Sequence, residues 1–248
     1  MTKKLSEAQL QVYQSQKLAA VGQLAAGVAH EINNPLTGVI GLSELLLRDN
    51  KKDFDEETKK SLQSIYQSSE RIRKIVANLL RFARWEAPAK KNVSVNEIID
   101  TVLNIRSYEM KVRNIEVKKH YQSDLPLIMA DPSQLEQVFL NLITNAEYAI
   151  HETGKAGTLT IVTSLQEEQS EDKNKKVIIE ISDTGTGIPE NVITKLFNPF
   201  FTTKPVGKGT GLGLSVSYCI IKEHGVEISA RNQKEGAVFT IELPVLGG

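Results

Sequence analysis

The chain has 248 residues, 40% of them hydrophobic, and its 30 Lys plus Arg balance 30 Asp plus Glu at a formal charge of zero. That length holds one large or two modest domains, and the balance excludes a global basic field for nucleic acid and a global acidic tail. There is no run of about 18 apolar residues and no signal peptide, so no membrane contact is expected in this chain.

Residues 5–86 read as two helices. The first carries an apolar stripe at Leu18, Val21, Ala25, Val28, Ile32, Val39, Leu42 and Leu46, with Pro35 in one slot. Steps alternating three and four mark a seam packed against other helices. With Leu18 as a and Val21 as d, His30 falls at f, furthest from the seam. An imidazole there points to solvent, with Glu31 beside it and Asn34 one turn ahead on the same side. Pro35 removes the hydrogen bond to the Glu31 carbonyl and is expected to bend the helix just beyond His30.

The polar turn Asp49-Asn50-Lys51-Lys52-Asp53 ends this helix, and the second has its own stripe at Leu62, Ile65, Ser69, Ile72, Val76, Leu79 and Ala83. Two seamed helices joined by a short turn make an antiparallel hairpin. One hairpin cannot cover both seams, so a homodimer through a four-helix bundle is expected.

The pattern breaks at Trp85-Glu86-Ala87-Pro88-Ala89-Lys90-Lys91. The expected division is therefore a hairpin domain over residues 1–88, a linker over 89–94 and a second domain over 95–248. In the second part, Val95 to Tyr108 reads as helix and Ile115 to Tyr121 as strand. Asp131-Pro132 opens a helix, as N-cap and first helical residue, that runs to His151. Strands are expected at Thr158 to Leu165 and Val177 to Asp183, with a charged loop between them. A helix follows Gly211, and strands at Val226 to Arg231 and Ala237 to Leu243 close the domain. Such unalternating runs predict an α+β sandwich, a sheet with helices on one face. The only cysteine, Cys219, lies in the apolar run Val216 to Ile221 and is expected to be a buried structural thiol in a reducing compartment.

Three segments of the second part carry unusual chemistry. Asn141 and Asn145 stand one turn apart on an otherwise apolar helix, and two amides on one face can hold a metal ion and phosphate oxygens without adding charge. Asp183-Thr184-Gly185-Thr186-Gly187 follows a strand: the carboxylate can accept a bond from an exocyclic amine, and the glycines let a flat ring approach the backbone. Gly207-Lys208-Gly209-Thr210-Gly211-Leu212-Gly213-Leu214 runs into a helix, and its free amides favour phosphate.

Together these segments resemble the transmitter core of a sensor histidine kinase of two-component signalling, from about Lys17 to Pro244. The H-box is His30-Glu31-Ile32-Asn33-Asn34-Pro35-Leu36, the N-box spans Asn141 to Asn145, and the G1 box spans Asp183 to Gly187. The F-box runs from Leu196 through Phe197 to Lys204, and the G2 box from Gly209 to Leu214. The Asn33-Asn34-Pro35 sequence is similar to the nitrogen-regulation subtype. The resemblance implies a dimeric helical hairpin followed by an α+β sandwich ATP-binding domain of the gyrase, chaperone and histidine-kinase type. Neither a Walker lysine motif nor the eukaryotic kinase signature is present.

The resemblance further implies that Asn145 ligates Mg²⁺, that Asn141 supports phosphate or metal, and that Asp183 takes the adenine amine. Gly185 and Gly187 would line the base. The loop from Phe197 through Gly209, Thr210, Gly211 and Leu212 to Gly213 would form a lid over the triphosphate of ATP, with Lys208 and Lys204 as candidate phosphate contacts. His30 would attack the γ-phosphate with Glu31 accepting its proton, and the phosphoryl group would pass to an aspartate of a response regulator receiver domain. Asn34 matches the position that orients water when the same bundle dephosphorylates the regulator. A cytoplasmic location is implied, as a free protein or as the cytoplasmic part of a larger sensor.

One departure stands out. The commoner subtype has a basic residue where this chain has Tyr148, a change the nitrogen-regulation subtype tolerates, so a second cationic phosphate contact is not expected there. Two rival readings are an ATP hydrolase of the same fold and a non-catalytic dimeric scaffold. The hydrolases place a glutamate where this chain has Asn141, and an amide is a poor general base.

Overall fold

The computed structural model describes residues 32–48, 54–83, 89–167, 175–205 and 209–245. His30, Glu31 and Lys208 lie outside them, as do the first helix before Ile32 and the polar turn at 49–53. The chain divides into two compact units, Met1–Glu86 with Pro205–Lys208, and Ala87–Lys204 with Gly209–Gly248.

In the first unit, helix α1 covers 32–48 and α2 covers Glu56–Ala83. The helical assignment continues through Pro35, and Asn34 is exposed. Asp55 accepts the Thr58 amide at 2.6 Å and so caps the start of α2, aided by Glu56 and Glu57 in the first turn. On α2 the expected stripe splits by burial: Ser69 and Val76 are buried, whereas Ile65 (47% exposed) and Ile72 (44%) are not. On α1 the expected positions Ile32 (36%), Val39 (41%) and Leu42 (65%) are exposed, and Leu36 and Ser43, one residue beyond expected slots, are buried instead. Among the described residues nothing covers this apolar surplus on the two helices.

The second unit begins with β1 (Lys91–Val93), α3 (Val95–Val112), β2 (Ile115–Tyr121), β3 (Ile128–Ala130) and α4 (Pro132–Glu152). It continues with β4 (Gly157–Glu167), β5 (Lys175–Asp183), α5 (Glu190–Ile193), α6 (Gly213–Glu223), β6 (Ile228–Asn232) and β7 (Ala237–Pro244). Five strands form a mixed sheet in the order β2-β4-β5-β7-β6, parallel between β2 and β4 and antiparallel elsewhere. Helix α4 lies on β4 and β5, α3 lies on β2 and α4, and α6 packs against α4. The expected sandwich of one sheet and one helical layer is thus observed.

Residues 89–94 are not a linker. Val93 pairs with Ile128 in a small antiparallel β1–β3 ribbon, and Ser94 caps α3 by accepting the Glu97 amide. Three-residue strands carry too little alternation to register in sequence, and only Val93 of β1 is buried. The β3 strand and the single turn α5 are illegible in sequence for the same reason. Strands β4 and β5 also run further than their apolar patterns, to a Glu167–Lys175 pairing whose opposite charges suit a solvated sheet end.

Two local patterns place the chemistry. Along β5, Val177, Ile179, Ile181 and Asp183 are buried in alternation, so the period of two carries the carboxylate into the helix-covered face. On α4, the i, i+3, i+4 stripe of Leu135, Val138, Phe139, Leu142, Ile143, Ala146 and Ile150 is buried. Asn141, Asn145, Tyr148 and Glu152 form the adjoining stripe on that helix. Asp131 caps α4 by accepting the Ser133 and Gln134 amides at 2.9 and 3.2 Å, with Pro132 in the first turn. Glu147, 1% exposed, takes a two-pronged hydrogen bond from Arg106 at 3.0 and 2.7 Å, which ties α4 to α3.

Candidate functional site

Asp183 ends β5 with only 4% of its surface exposed. Burial pushes its carboxyl up, and the backbone N–H groups of Gly185 and Ala237 oppose that rise. The Gly185 amide donates to its Oδ1 at 2.8 Å. These two amides are the partners of the Asp183 side chain among the described residues, which leaves acceptor capacity for a further donor. A Cβ on Gly185 would lie 2.6 Å from the Ala149 side chain, so the loop runs flush against α4. Gly187 turns with φ +71°, and Asn232 clamps the next residue: its Oδ1 accepts the Ile188 amide and its Nδ2 donates to the Ile188 carbonyl.

The β6–β7 turn supplies residues that lie outside every sequence motif. Gln233 donates its side-chain amide to the Asp183 carbonyl at 3.3 Å. Gly236 has φ +79°, and a Cβ there would fall 1.9 Å from the Asp183 carbonyl oxygen. Only glycine satisfies both demands. The sequence signal was Gln233-Lys234-Glu235-Gly236 between two strand patterns, a turn signal with no hint that it touches Asp183.

Asn141 and Asn145 prove chemically unlike. The Asn141 amide donates to the Gly213 carbonyl at 2.9 Å and the Ser217 hydroxyl at 3.1 Å, and its oxygen accepts from Gln137 at 3.0 Å. It therefore holds the first turn of α6 against α4. Asn145 instead accepts the Lys204 ammonium at 2.8 Å through its amide oxygen, so that oxygen faces a place suited to a cation. Burial lowers the Lys204 amine below its ordinary value. Its Nζ also lies 4.4 Å from the centroid of the Tyr148 ring. The ammonium beside Tyr148 thus comes from the loop after α5 and not from α4 itself.

The loop between α5 and α6 is anchored at both ends. Phe197 packs its ring 5.3 Å from that of Tyr218 on α6. Gly211, at φ +67°, passes so close to Phe200 that a Cβ would lie 2.4 Å from the Phe200 carbonyl carbon, and Phe200 itself adopts φ 64° with its ring exposed. Leu212 is buried at 2% exposure, and Thr210 accepts the Leu212 amide at 3.4 Å. Gly209 packs against Thr202 and Lys204, and Gly213 against Asn141. Among the described residues no side chain caps the first amides of α6, so they are available to an anion. Cys219 on α6 is half-buried rather than fully buried, and desolvation with the nearby Glu223 charge pushes its thiol up to about 11.

The second unit thus assembles a buried carboxylate, two tight glycine turns, an amide oxygen facing a cation and an uncapped helix start. Two family models match the chain: "His Kinase A (phospho-acceptor) domain" over residues 20–88 and "Histidine kinase-, DNA gyrase B-, and HSP90-like ATPase" over 130–247. Sensor histidine kinase ZraS of Salmonella typhi is 38% identical over 232 residues, which are 93% of this chain and 47% of that protein. The chain therefore spans about half of that relative's length. Full-length ShkA in complex with AMPPNP superposes with TM-score 0.70 at 25% identity, over 90% of this chain and 45% of that one. Histidine kinase ThkA in complex with response regulator protein TrrA superposes with TM-score 0.63 at 28% identity, over 97% of this chain and 66% of that one. The catalytic domain of ThkA alone, at TM-score 0.52 and 33% identity, covers 62% of this chain and 97% of that domain. With the first model spanning the H-box and the second spanning the N-, G1, F- and G2 boxes, the chain belongs to the sensor histidine kinase family.

Proposed function

We propose that this chain transfers the γ-phosphate of ATP to His30 and then to an aspartate of a response regulator receiver domain. The observation that carries the reading is the Asp183 carboxylate, buried at 4% exposure beside the Gly185 turn. It suits a base that offers an exocyclic amine. The phosphates would then extend along Asn145 and Lys204 toward the uncapped start of α6. ShkA was crystallised in complex with AMPPNP, which supports ATP as the nucleotide. Asn145 is the residue suited to hold Mg²⁺, because its neutral amide oxygen accepts a cation in this structure, the Lys204 ammonium, and keeps a second lone pair for the ion. Such an ion would offset charge on the phosphate oxygens when bound.

His30 has to be neutral to attack, and Glu31 is placed in sequence to take the proton released from its other ring nitrogen. Charge on the transferred group is then met by Lys204, and by Lys208 where it reaches the phosphates. The two seams support a homodimer, since Val39, Leu42, Ile65 and Ile72 remain exposed on the helices of one chain. ThkA was solved with a response regulator, which supports a receiver domain as the phosphoryl acceptor.

The test is direct. Incubated with γ-labelled ATP, the chain is expected to become labelled, and His30→Gln to bind nucleotide without taking label. Retained labelling would remove His30 as nucleophile, and phosphate release without labelling would favour the hydrolase reading. A regulator phosphatase activity is the second reading, favoured by the exposed Asn34 on α1. Asn34→Ala should slow decay of the phosphorylated regulator while autophosphorylation continues.

A further inference from the structure

We propose that Tyr148 is a positioning residue, whose ring face holds the Lys204 ammonium where the nucleotide phosphates bind. This rests on the nucleotide-binding reading above and assigns the cation of that site to the F-box loop instead of the N-box helix. Helix α4, Pro132–Glu152, contains no Lys or Arg, and its Glu147 is already neutralised by Arg106. A polyphosphate lying along Asn141, Asn145 and Tyr148 therefore finds no positive charge on the helix beneath it.

Lys204 fills that gap and is held at several points. Its ammonium is 2.8 Å from the Asn145 oxygen and 4.4 Å from the Tyr148 ring centroid. Its stem passes Gly209 so closely that a Cβ there would lie 3.2 Å from the Lys204 Cβ and 3.1 Å from its Cδ. Its backbone amide donates to Thr202 at 3.1 Å. A lysine on an open loop disperses its charge over many rotamers, and ordering it on binding costs affinity. The negative face of the ring attracts the ammonium and restricts it. Tyr148 and Asn145 lie one turn apart on the same stripe of α4, so ring and amide oxygen form a two-point seat. Lysine offers phosphate a compact charge with three donors, so an ammonium seated there keeps donors free for a phosphate oxygen.

The ring, not the hydroxyl, is the part required. In titrations of the full chain with a fluorescent ATP analogue and Mg²⁺, Tyr148→Phe should bind within about twofold of wild type. Tyr148→Leu should weaken binding about three- to thirtyfold, the range of one cation–π contact. Lys204→Ala should weaken it at least as much, and Tyr148→Leu should cost nothing more in the Lys204→Ala background. Tyr148→Lys should restore part of the affinity lost by Lys204→Ala, because it returns a cation to the helix. Thermal melting of each variant separates loss of binding from loss of fold. The proposal is overturned if Tyr148→Leu binds as wild type, or if it weakens Lys204→Ala further. A wild-type chain that binds no analogue would instead defeat the nucleotide reading itself.

Discussion

The Asn141 side chain donates to the Gly213 carbonyl at 2.9 Å and so joins the middle of α4 to the first residue of α6. Ser217, fully buried, accepts from the same amide at 3.1 Å. The N-box and the G2 box are thereby one hydrogen-bonded unit. Asn141→Ala removes both bonds, leaving Ser217 and Gly213 only their own hydrogen bond at 3.0 Å, and should destabilise the chain by about 1–3 kcal/mol. Asn141→Asp should be worse, because a carboxylate has no hydrogen to offer and would face the Gly213 carbonyl oxygen. Chemical denaturation of the three proteins checks the order.

Gly236 permits the β6–β7 turn to touch Asp183. Gly236→Ala combines φ +79° with a Cβ 1.9 Å from a backbone oxygen. Relief requires moving Asp183, so nucleotide binding should fall by more than tenfold together with stability. Gly154→Ala is the matched control, with φ +68° but nothing within 4 Å of the added Cβ. It should cost only about 1 kcal/mol and leave binding intact. Denaturation and nucleotide titration on both variants separate strain from collision.

The Asp183 carboxyl is held above its ordinary value of 3.8 by burial. The folded state therefore binds this proton more tightly than the unfolded state. Its contribution to stability is greatest below pH 3.8 and is lost as pH rises from there through the raised folded value. Asp183→Asn keeps the oxygen that accepts from Gly185 and removes the titration. The difference in Tm between variant and wild type should shift toward the variant as pH rises across that window. Nucleotide affinity should move oppositely, falling about tenfold to a hundredfold at neutral pH with loss of a charged acceptor.

Leu42, 65% exposed on α1, belongs to the seam that a second chain is proposed to cover. Leu42→Glu should barely alter the fold of one chain yet convert a dimer to a monomer, because a desolvated carboxylate opposes the interface. Analytical ultracentrifugation at micromolar concentration gives the result, and an unchanged mass would move the interface elsewhere.

Cys219 is the sole cysteine, so thiol chemistry reports on one position. With its thiol pushed up to about 11, only about one molecule in a thousand carries thiolate at pH 8. An aromatic disulfide reagent should label the native chain far more slowly than the urea-unfolded chain, and equal rates would show that the α6 environment does not protect it.

Periodicity and composition made much of the fold legible. The alternation of β5, the three-four stripe of α4 and the Asp131-Pro132 start each follow from local geometry, and the structure has them within a few residues. Short elements were illegible because β1 and β3 depend on each other, and neither has enough residues to show a period. The boxes identified Asp183, Asn145 and the glycine loops as candidates. They did not separate Asn141 from Asn145, since two asparagines one turn apart look alike until their neighbours are known.

What the amino-acid sequence determined by itself is the longer elements, the family and the residue types that chemistry requires, because these are written in patterns spanning a few turns. What the tertiary structure decided is which residues meet. Lys204 reaches Asn145 across 59 positions, Gln233 reaches Asp183 across 50, and Asn141 reaches Gly213 across 72. Helical and strand periods carry no record of such encounters. They arise when α4 packs on the sheet, α6 packs on α4 and the β6–β7 turn meets Asp183, which brings distant polar groups within hydrogen-bonding reach.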